Sequence, residues 1–309
     1  MGTLVKITVY TSGEEDARRA FRAGFDRIGR LDAILSDYKP DSELNRIVTT
    51  AVGKAIPVSR DLCTVLAASQ ALAAATGGAF DVTQGPVIRL WREARRTKQL
   101  PDPAALRAAA ERAGFRTLHI ESERCTVAMD VEGMALDVGA IAKGYAASEA
   151  LAAIGHAGVR SAMVAVSGDL AFSDAPPGTN GWRVALPDVP ADGEDGPSVL
   201  ELSNAAVSTA GADEQHLDAG GQRYSHIIDP RSGMALTDDL TVTVIARTGL
   251  VADGLDTAIS VLGPERGLAL VDARDDAVAV IVRRTSAGVV VLPSRRFAAF
   301  LVARRAAGD

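Results

Sequence analysis

The stretch Met134–Ala150, MALDVGAIAKGYAASEA, constrains this chain most, because it asks for a strand, a glycine break and a helix in close succession. Apolar residues alternate at Val127, Met129 and Val131 and return at Leu136 and Val138, which is the period of a strand. After Gly139 the apolar positions Ile141, Tyr145, Leu151 and Ile154 take helical spacing. A helix entered through glycine has its first amides unpaired, and the positive end of its dipole lies beside them. Phosphate binds well at such a junction. Lys143 falls in the first turn, where a cation opposes the dipole unless it faces an anionic ligand. Asp137, at the strand end, is placed to accept from a ribose or a base, or to hold a metal. The glycines Gly133, Gly139 and Gly144 fit neither a Walker A loop nor a Rossmann fingerprint. Taken alone, the motif is better explained as a glycine-rich turn with a solvated lysine.

The 309 residues allow one large domain over 1–309, or two intimate lobes. With 47% apolar and 23% charged residues the chain is globular. A net charge of −6, with basic runs as short as Arg92–Lys98, argues against nucleic acid or an anionic membrane as partner. The two cysteines, Cys63 and Cys125, form no CxxC pair, so neither a disulfide framework nor a thiolate metal site is expected. The absence of an 18-residue apolar run, and a strand-like LVKITVY beginning at Leu4, predict neither a transmembrane span nor a signal peptide. A cytoplasmic location is the expectation.

Periodicity predicts a strand over 2–10 and a helix from Glu14 with Phe21, Phe25, Ile28, Leu31 and Leu35 on its core face. Lys39–Ser42 reads as a turn in which Asp41 or Ser42 caps a short helix. A helix from Ser59 to Thr76 stops at Gly77-Gly78, and AFDVTQGPVIRLW reads as turn-rich, with Phe80, Asp81 and Thr83 lining a pocket or packing. A helix is expected over 103–113, two strands around Ser167-Gly168-Asp169, a strand over 182–186, and loops over 174–180 and 188–198. Strands then alternate with turns. A helix over 251–262 stops at Gly263, and the tail forms a hairpin. Strands neither alternate strictly with helices nor group together, so the class is α+β.

Four stretches carry chemistry. In VADGLDTAISVLG, Asp253, Asp256 and Thr257 stand at i, i+3 and i+4, one face of a helix. Two carboxylates and a hydroxyl are hard donors suited to Mg²⁺, although aspartates near a helix start also complement the dipole. RYSHIIDPRSG places His226 beside a tight turn; an imidazole pKa of about 6.5 suits a base, yet a lone histidine in a strand is more often structural. VSTAGAD offers Ser208 and Thr209, and SGD another carboxylate, Asp169; no GxSxG elbow is present.

MGT at 1–3, SDYKPDSELNRI at 36–47, LDVGAIAKGYA at 136–146, SGDL at 167–170, HIIDPRSG at 226–233 and ADGLDTA at 252–258 occur in the order and spacing of the ApbE family, the FAD:protein FMN transferases. The resemblance spans nearly the whole chain and rests on six motifs in register. It implies an ApbE-like (T-fold-like) fold of largely antiparallel sheets with packed helices, and an FAD site between any two lobes. It implies Mg²⁺-dependent transfer of FMN from FAD to a threonine or serine of an acceptor protein through a phosphoester, with release of AMP. By the same resemblance Met1, Tyr38, Ala79, Phe80, Asp81, Asp137, Lys143 and Ile228 contact FAD. Ala140 (through its carbonyl), Asp253, Asp256 and Thr257 hold the metal, and His226 is the general base. STAG and PRSG depart from the family's usual TSG-like and PRTG sequences without removing a needed group. Two rival readings share the site: an FAD pyrophosphatase that uses water, and a non-catalytic FAD-binding protein that forms no AMP.

Overall fold

Seven segments rich in Val, Ala and Ile pair into one sheet in the order Val5–Tyr10, Ser161–Val166, Asp169–Phe172, Ala205–Gly211, Leu240–Ala246, Ala277–Thr285 and Gly288–Pro293. In this computed structural model, which describes residues 3–190, 197–211 and 215–301, every neighbouring pair in that sheet is antiparallel. The alternation of side chains gives the sheet two apolar faces. Ala277, Ala279 and Ile281 point with Val242 and Val244 toward Ala252, Leu255 and Ile259 of the helix Gly249–Asp272. Val278, Val280 and Val282 point the other way, with Ile245 and Phe172, onto Trp182, Leu186, Leu200 and Phe297. The helix Ala142–His156 covers the neighbouring strands through Ala147, Ala150 and Ile154.

About half of the chain is inserted between the first strand and its partner, which pair from Val5↔Val166 to Tyr10↔Ser161. The insertion carries helices Glu14–Leu35, Glu43–Thr50, Arg60–Ala75, Gly85–Thr97 and Pro103–Ala110 and a small sheet of Ile56–Pro57, Thr126–Met129 and Leu118–Glu121. Ser42 and Ser59 cap their helices by accepting from the amides of Asn45 and Leu62. A polar knot ties three helices together: Arg27 donates to Asp61 at 2.8 Å, and the Tyr145 hydroxyl donates to the same carboxylate at 2.7 Å. No helix among the described residues is long and apolar enough to cross a membrane.

The structure changes several sequence expectations. The strand expected up to Val138 ends at Met129. Gly133 (φ 76°) turns the chain, and residues 134–138 run buried with only one bridge, Ala135 to Gln84. Alternation there marks burial, since Met134, Leu136 and Val138 all enter the core of the insertion. AFDVTQGPVIRLW is not simply turn-rich, because residues 85–97 form a helix. Gln84-Gly85-Pro86 resembles a break, but proline in the first turn of a helix removes only an amide that has no partner there. The helix 103–113 ends at Ala110. The loop expected over 188–198 is strand up to Pro190 and again from Pro197, with 191–196 outside the described residues. Gly263 (φ 77°) does break the helix begun at Gly249, but Pro264 starts a further helical segment to Asp272.

The two helices that approach the site start side by side. A Cβ on Gly144 would lie 2.1 Å from the Gly249 carbonyl oxygen and 2.7 Å from Asp253 Cβ. The Gly249 amide donates to Ser148 Oγ at 2.8 Å. Gly144→Ala should therefore force two backbones apart and cost about 1–3 kcal/mol, the usual range for overpacking. Thermal unfolding checks this, and an unchanged midpoint would mean that the helices separate freely.

Candidate active site

Asp253 and Asp256 project from the same helix face, as their spacing predicts, and meet Asp169 from the start of the strand Asp169–Phe172. Ligand oxygens of the three carboxylates lie within 4.8 Å of one another, and all three residues are buried. Lys143 Nζ stands 2.7 Å from Asp169 and 3.0 Å from Asp253. The Gly144 amide donates to Asp253 Oδ2 at 2.8 Å, where a regular first turn would give it to the Ala140 carbonyl. The junction amide is thus committed to a carboxylate. The Ala140 carbonyl accepts no hydrogen bond among the described residues. Ser208 Oγ donates to Asp256 at 2.6 Å and also contacts Asp169, and Thr257 Oγ1 donates to Asp256 at 3.1 Å.

Three carboxylates and one ammonium leave two formal negative charges in a buried site. Burial, reinforced by Asp169, pushes Asp253 up to about 6, and burial with Asp253 beside it holds Asp256 well above the usual carboxylate range. Burial works against the charged Lys143, but Asp253 and Asp169 outweigh it and keep the ammonium protonated. A divalent cation would cancel the residual charge. The donor set is wholly oxygen, which suits Mg²⁺ better than a softer metal.

A second cluster lies in the insertion. Arg92 donates to Asp137 at 2.7 Å and also to Asp37, while its guanidinium carbon sits 4.5 Å over the centre of the Tyr38 ring. Tyr38 is 68% exposed, an uncommon state for an aromatic ring held in place on one face only. Asp137 also accepts from the Gly139 amide at 2.9 Å. Burial, then Asp37, raises its pKa, with Arg92 opposing. Arg95, one turn along, is half-buried with no ion-pair partner among the described residues, and burial and Arg92 lower its pKa. Arg92→Met should strand two carboxylates and cost about 1–3 kcal/mol, the penalty of leaving a part-buried group unsatisfied. A melting midpoint equal to wild type would remove Arg92 from this role.

His226 lies between the clusters. Its Nδ1 is buried and without a partner among the described residues. Burial, with Arg95 and Lys143 adding to it, lowers its pKa to about 4, against a hydrogen bond with the Gln215 backbone. The ring is therefore neutral at physiological pH. The turn that follows is set by Gly233 donating to the Asp229 carbonyl at 2.8 Å, and Trp91 donates to the Gly233 carbonyl at 2.9 Å. That bond fixes the histidine segment against the helix of Arg92 and Arg95.

The other predicted residues fall in different settings. Ala79 and Phe80 are core, and Asp81 accepts from the Thr83 amide and hydroxyl at 2.8 and 2.7 Å and from the Phe115 amide at 3.1 Å. Ile228 packs with Val87 and Trp91. Met1 lies outside the described residues. Sequence reasoning missed Asp169 as a partner of the aspartate pair, although SGDL pointed to the turn. It also missed Arg92 and Arg95, whose signal was proline in the first turn followed by an amphipathic stripe.

With this geometry in hand, similar proteins are informative. The ApbE family matches residues 1–282. An FAD:protein FMN transferase of Klebsiella pneumoniae is 33% identical over 316 residues, 99% of this chain and 88% of the relative. One of Salmonella typhimurium is 30% identical over 311 residues, 98% of this chain and 87% of that one. Among solved structures, the flavinyl transferase ApbE of Pseudomonas stutzeri in its apo form superposes with a TM-score of 0.84 at 31% identity, covering 99% of this chain and 95% of that one. The flavin transferase ApbE of Vibrio cholerae does so with a TM-score of 0.86 at 27% identity, covering 97% and 96%.

Proposed function

The chain belongs to the ApbE family, and from that premise we propose that it transfers FMN from FAD to a threonine or serine hydroxyl of an acceptor protein, forming a phosphoester and releasing AMP. The observation that carries the reading is the buried cluster of Asp169, Asp253 and Asp256 against Lys143. We assign Mg²⁺ to Asp253, Asp256, Thr257 and the Ala140 carbonyl, with Asp169 and Ser208 completing the oxygen cage. When bound, the metal supplies charge neutralisation at the pyrophosphate.

FAD lies between the sheet that carries Asp169 and Ser208 and the insertion that carries Tyr38, Arg92 and Asp137. Tyr38 offers an exposed ring face to a planar ligand, and Asp137 accepts from it. Met1, Ile228 and the Ala79–Asp81 backbone complete the cofactor contacts. Lys143 faces the phosphates from the metal side. The acceptor hydroxyl attacks the phosphorus of the FMN half, its bond to the AMP oxygen breaks, and the hydroxyl proton passes to the unpartnered Nδ1 of His226.

The test is to incubate the protein with FAD, Mg²⁺ and candidate FMN-binding acceptor domains, and to measure intact acceptor mass and AMP together. An FMN-sized adduct matched by AMP supports transfer. AMP with free FMN and no adduct would make the protein a pyrophosphatase, and FAD bound with no AMP would make it a carrier.

A further inference from the structure

Far apart in sequence, Cys63 and Cys125 meet in space. Cys63 is in the first turns of the helix Arg60–Ala75, and Cys125 closes the turn of the hairpin formed by Leu118–Glu121 and Thr126–Met129. Both backbones are fixed to one short segment: the Val58 amide donates to the Cys125 carbonyl at 2.9 Å, and the Cys63 amide donates to the Ser59 carbonyl at 2.9 Å. Both thiols converge on one acceptor, the Ser122 carbonyl oxygen, at 3.8 Å from Cys63 and 3.6 Å from Cys125. After burial, Cys125 is the group that weighs most on the Cys63 thiol. Cys125 has φ 47°, a left-handed conformation that glycine or asparagine adopts at less cost. Cys63 is buried and Cys125 is partly open to solvent.

We propose that Cys63 and Cys125 form a preorganised dithiol that closes to an intramolecular disulfide by exchange with a disulfide oxidant. Cys125 reacts first, because it is the accessible sulfur. Its thiolate attacks the oxidant's S–S bond, forming a mixed disulfide and expelling one thiol. Cys63 then attacks Cys125 Sγ and expels the second thiol. The protein loses two electrons and two protons, and the oxidant is reduced to two thiols. Burial, with Cys125 beside it, pushes the Cys63 thiol up to about 11, so the closing step is the slower one and quickens as pH rises. The closed loop would hold Ala79–Asp81, Arg92 and Arg95. Oxidation therefore staples the segment that carries the cofactor side of the site, next to Asp61 and its bonds to Arg27 and Tyr145.

The experiment treats the native protein with glutathione disulfide, blocks remaining thiols with an alkylating agent, and reads intact mass, linked peptides and thermal midpoint. The expected result is loss of two hydrogens, a Cys63–Cys125 linked peptide, and a midpoint several degrees above that of the reduced protein, since closing a long loop restricts the unfolded chain. Cys63→Ser should instead accumulate glutathione on Cys125. Alkylation of both thiols, or a glutathione adduct that persists on Cys125 of the wild-type chain, would overturn the proposal. So would failure of the Cys63→Ser variant to take up glutathione.

Discussion

Asp253→Asn should lower FMN transfer and AMP release on the order of 10³-fold while leaving the fold intact. The magnitude follows from the several kcal/mol that a correctly held metal contributes to a phosphoryl transition state, at tenfold per 1.36 kcal/mol. Asparagine preserves shape and an acceptor for the Gly144 amide, but it removes one of the two charges that a divalent cation would cancel. A binding readout separates this from a folding defect. In wild type, Mg²⁺ at about 100 times its dissociation constant should stabilise the protein by roughly 2.7 kcal/mol, and the variant should show no such gain. Without metal the variant should melt no lower than wild type at neutral pH. Asp253 has a folded pKa raised above its unfolded value, to about 6, so its favourable contribution is present in acid and lost as pH rises through 6. Full turnover in the variant, or an undiminished magnesium-dependent rise in its midpoint, would remove Asp253 from the metal site.

His226→Gln should cost about 10²–10⁴-fold in transfer, the range for a general base, with FAD and Mg²⁺ binding retained. The acidic limb of the wild-type rate should fall near pH 4, not near the ordinary imidazole value, because burial and the cations Arg95 and Lys143 oppose protonation. The base works when neutral, so activity holds above that pH and is lost below it. The same shift has a stability consequence of known sign. A histidine with a depressed folded pKa destabilises the fold as pH drops from about 6.5 toward 4, and the glutamine variant should lack that component. Near-normal transfer by the variant, or loss of activity only through unfolding, would return His226 to a structural role.

What could be read from the sequence depended on whether a pattern was local. Asp253, Asp256 and Thr257 share a face because helical spacing alone puts them there. The hairpin after Ala277 and the two strands around Ser167-Gly168 follow from period-two patterns and a tight turn. Asp169 joins the aspartate pair only through sheet pairing, since the strand Asp169–Phe172 lies beside Ala205–Gly211, which brings Ser208 to both carboxylates. No local pattern contains that contact. The contacts of the Gly144 amide with Asp253 and of Lys143 with Asp169 and Asp253 lie outside what a helix-end pattern contains. The reason is the near-contact of Gly144 with Gly249, a meeting of two segments remote in sequence. Met134–Val138 misled because full burial without a ladder produces the same apolar content as a strand.

The placement of the insertion has a consequence for biogenesis. Among the described residues, the strand Val5–Tyr10 has its only ladder partner at Ser161–Val166, across the whole insertion. At about 5–20 residues per second, the interval between synthesis of the two strands is on the order of 10–30 s. Throughout that time Val5, Ile7 and Val9 belong to a strand with both edges open, a template for pairing with the wrong chain. The buried residues of the insertion's own core, from Leu31 to Ala146, are all synthesised before the partner strand except Ala258, and can condense first. Its collapse draws the two strand positions together and shortens the search that closes the sheet. Substitutions that loosen that core should therefore appear first as aggregation of nascent chains, before any loss of activity in the molecules that do mature.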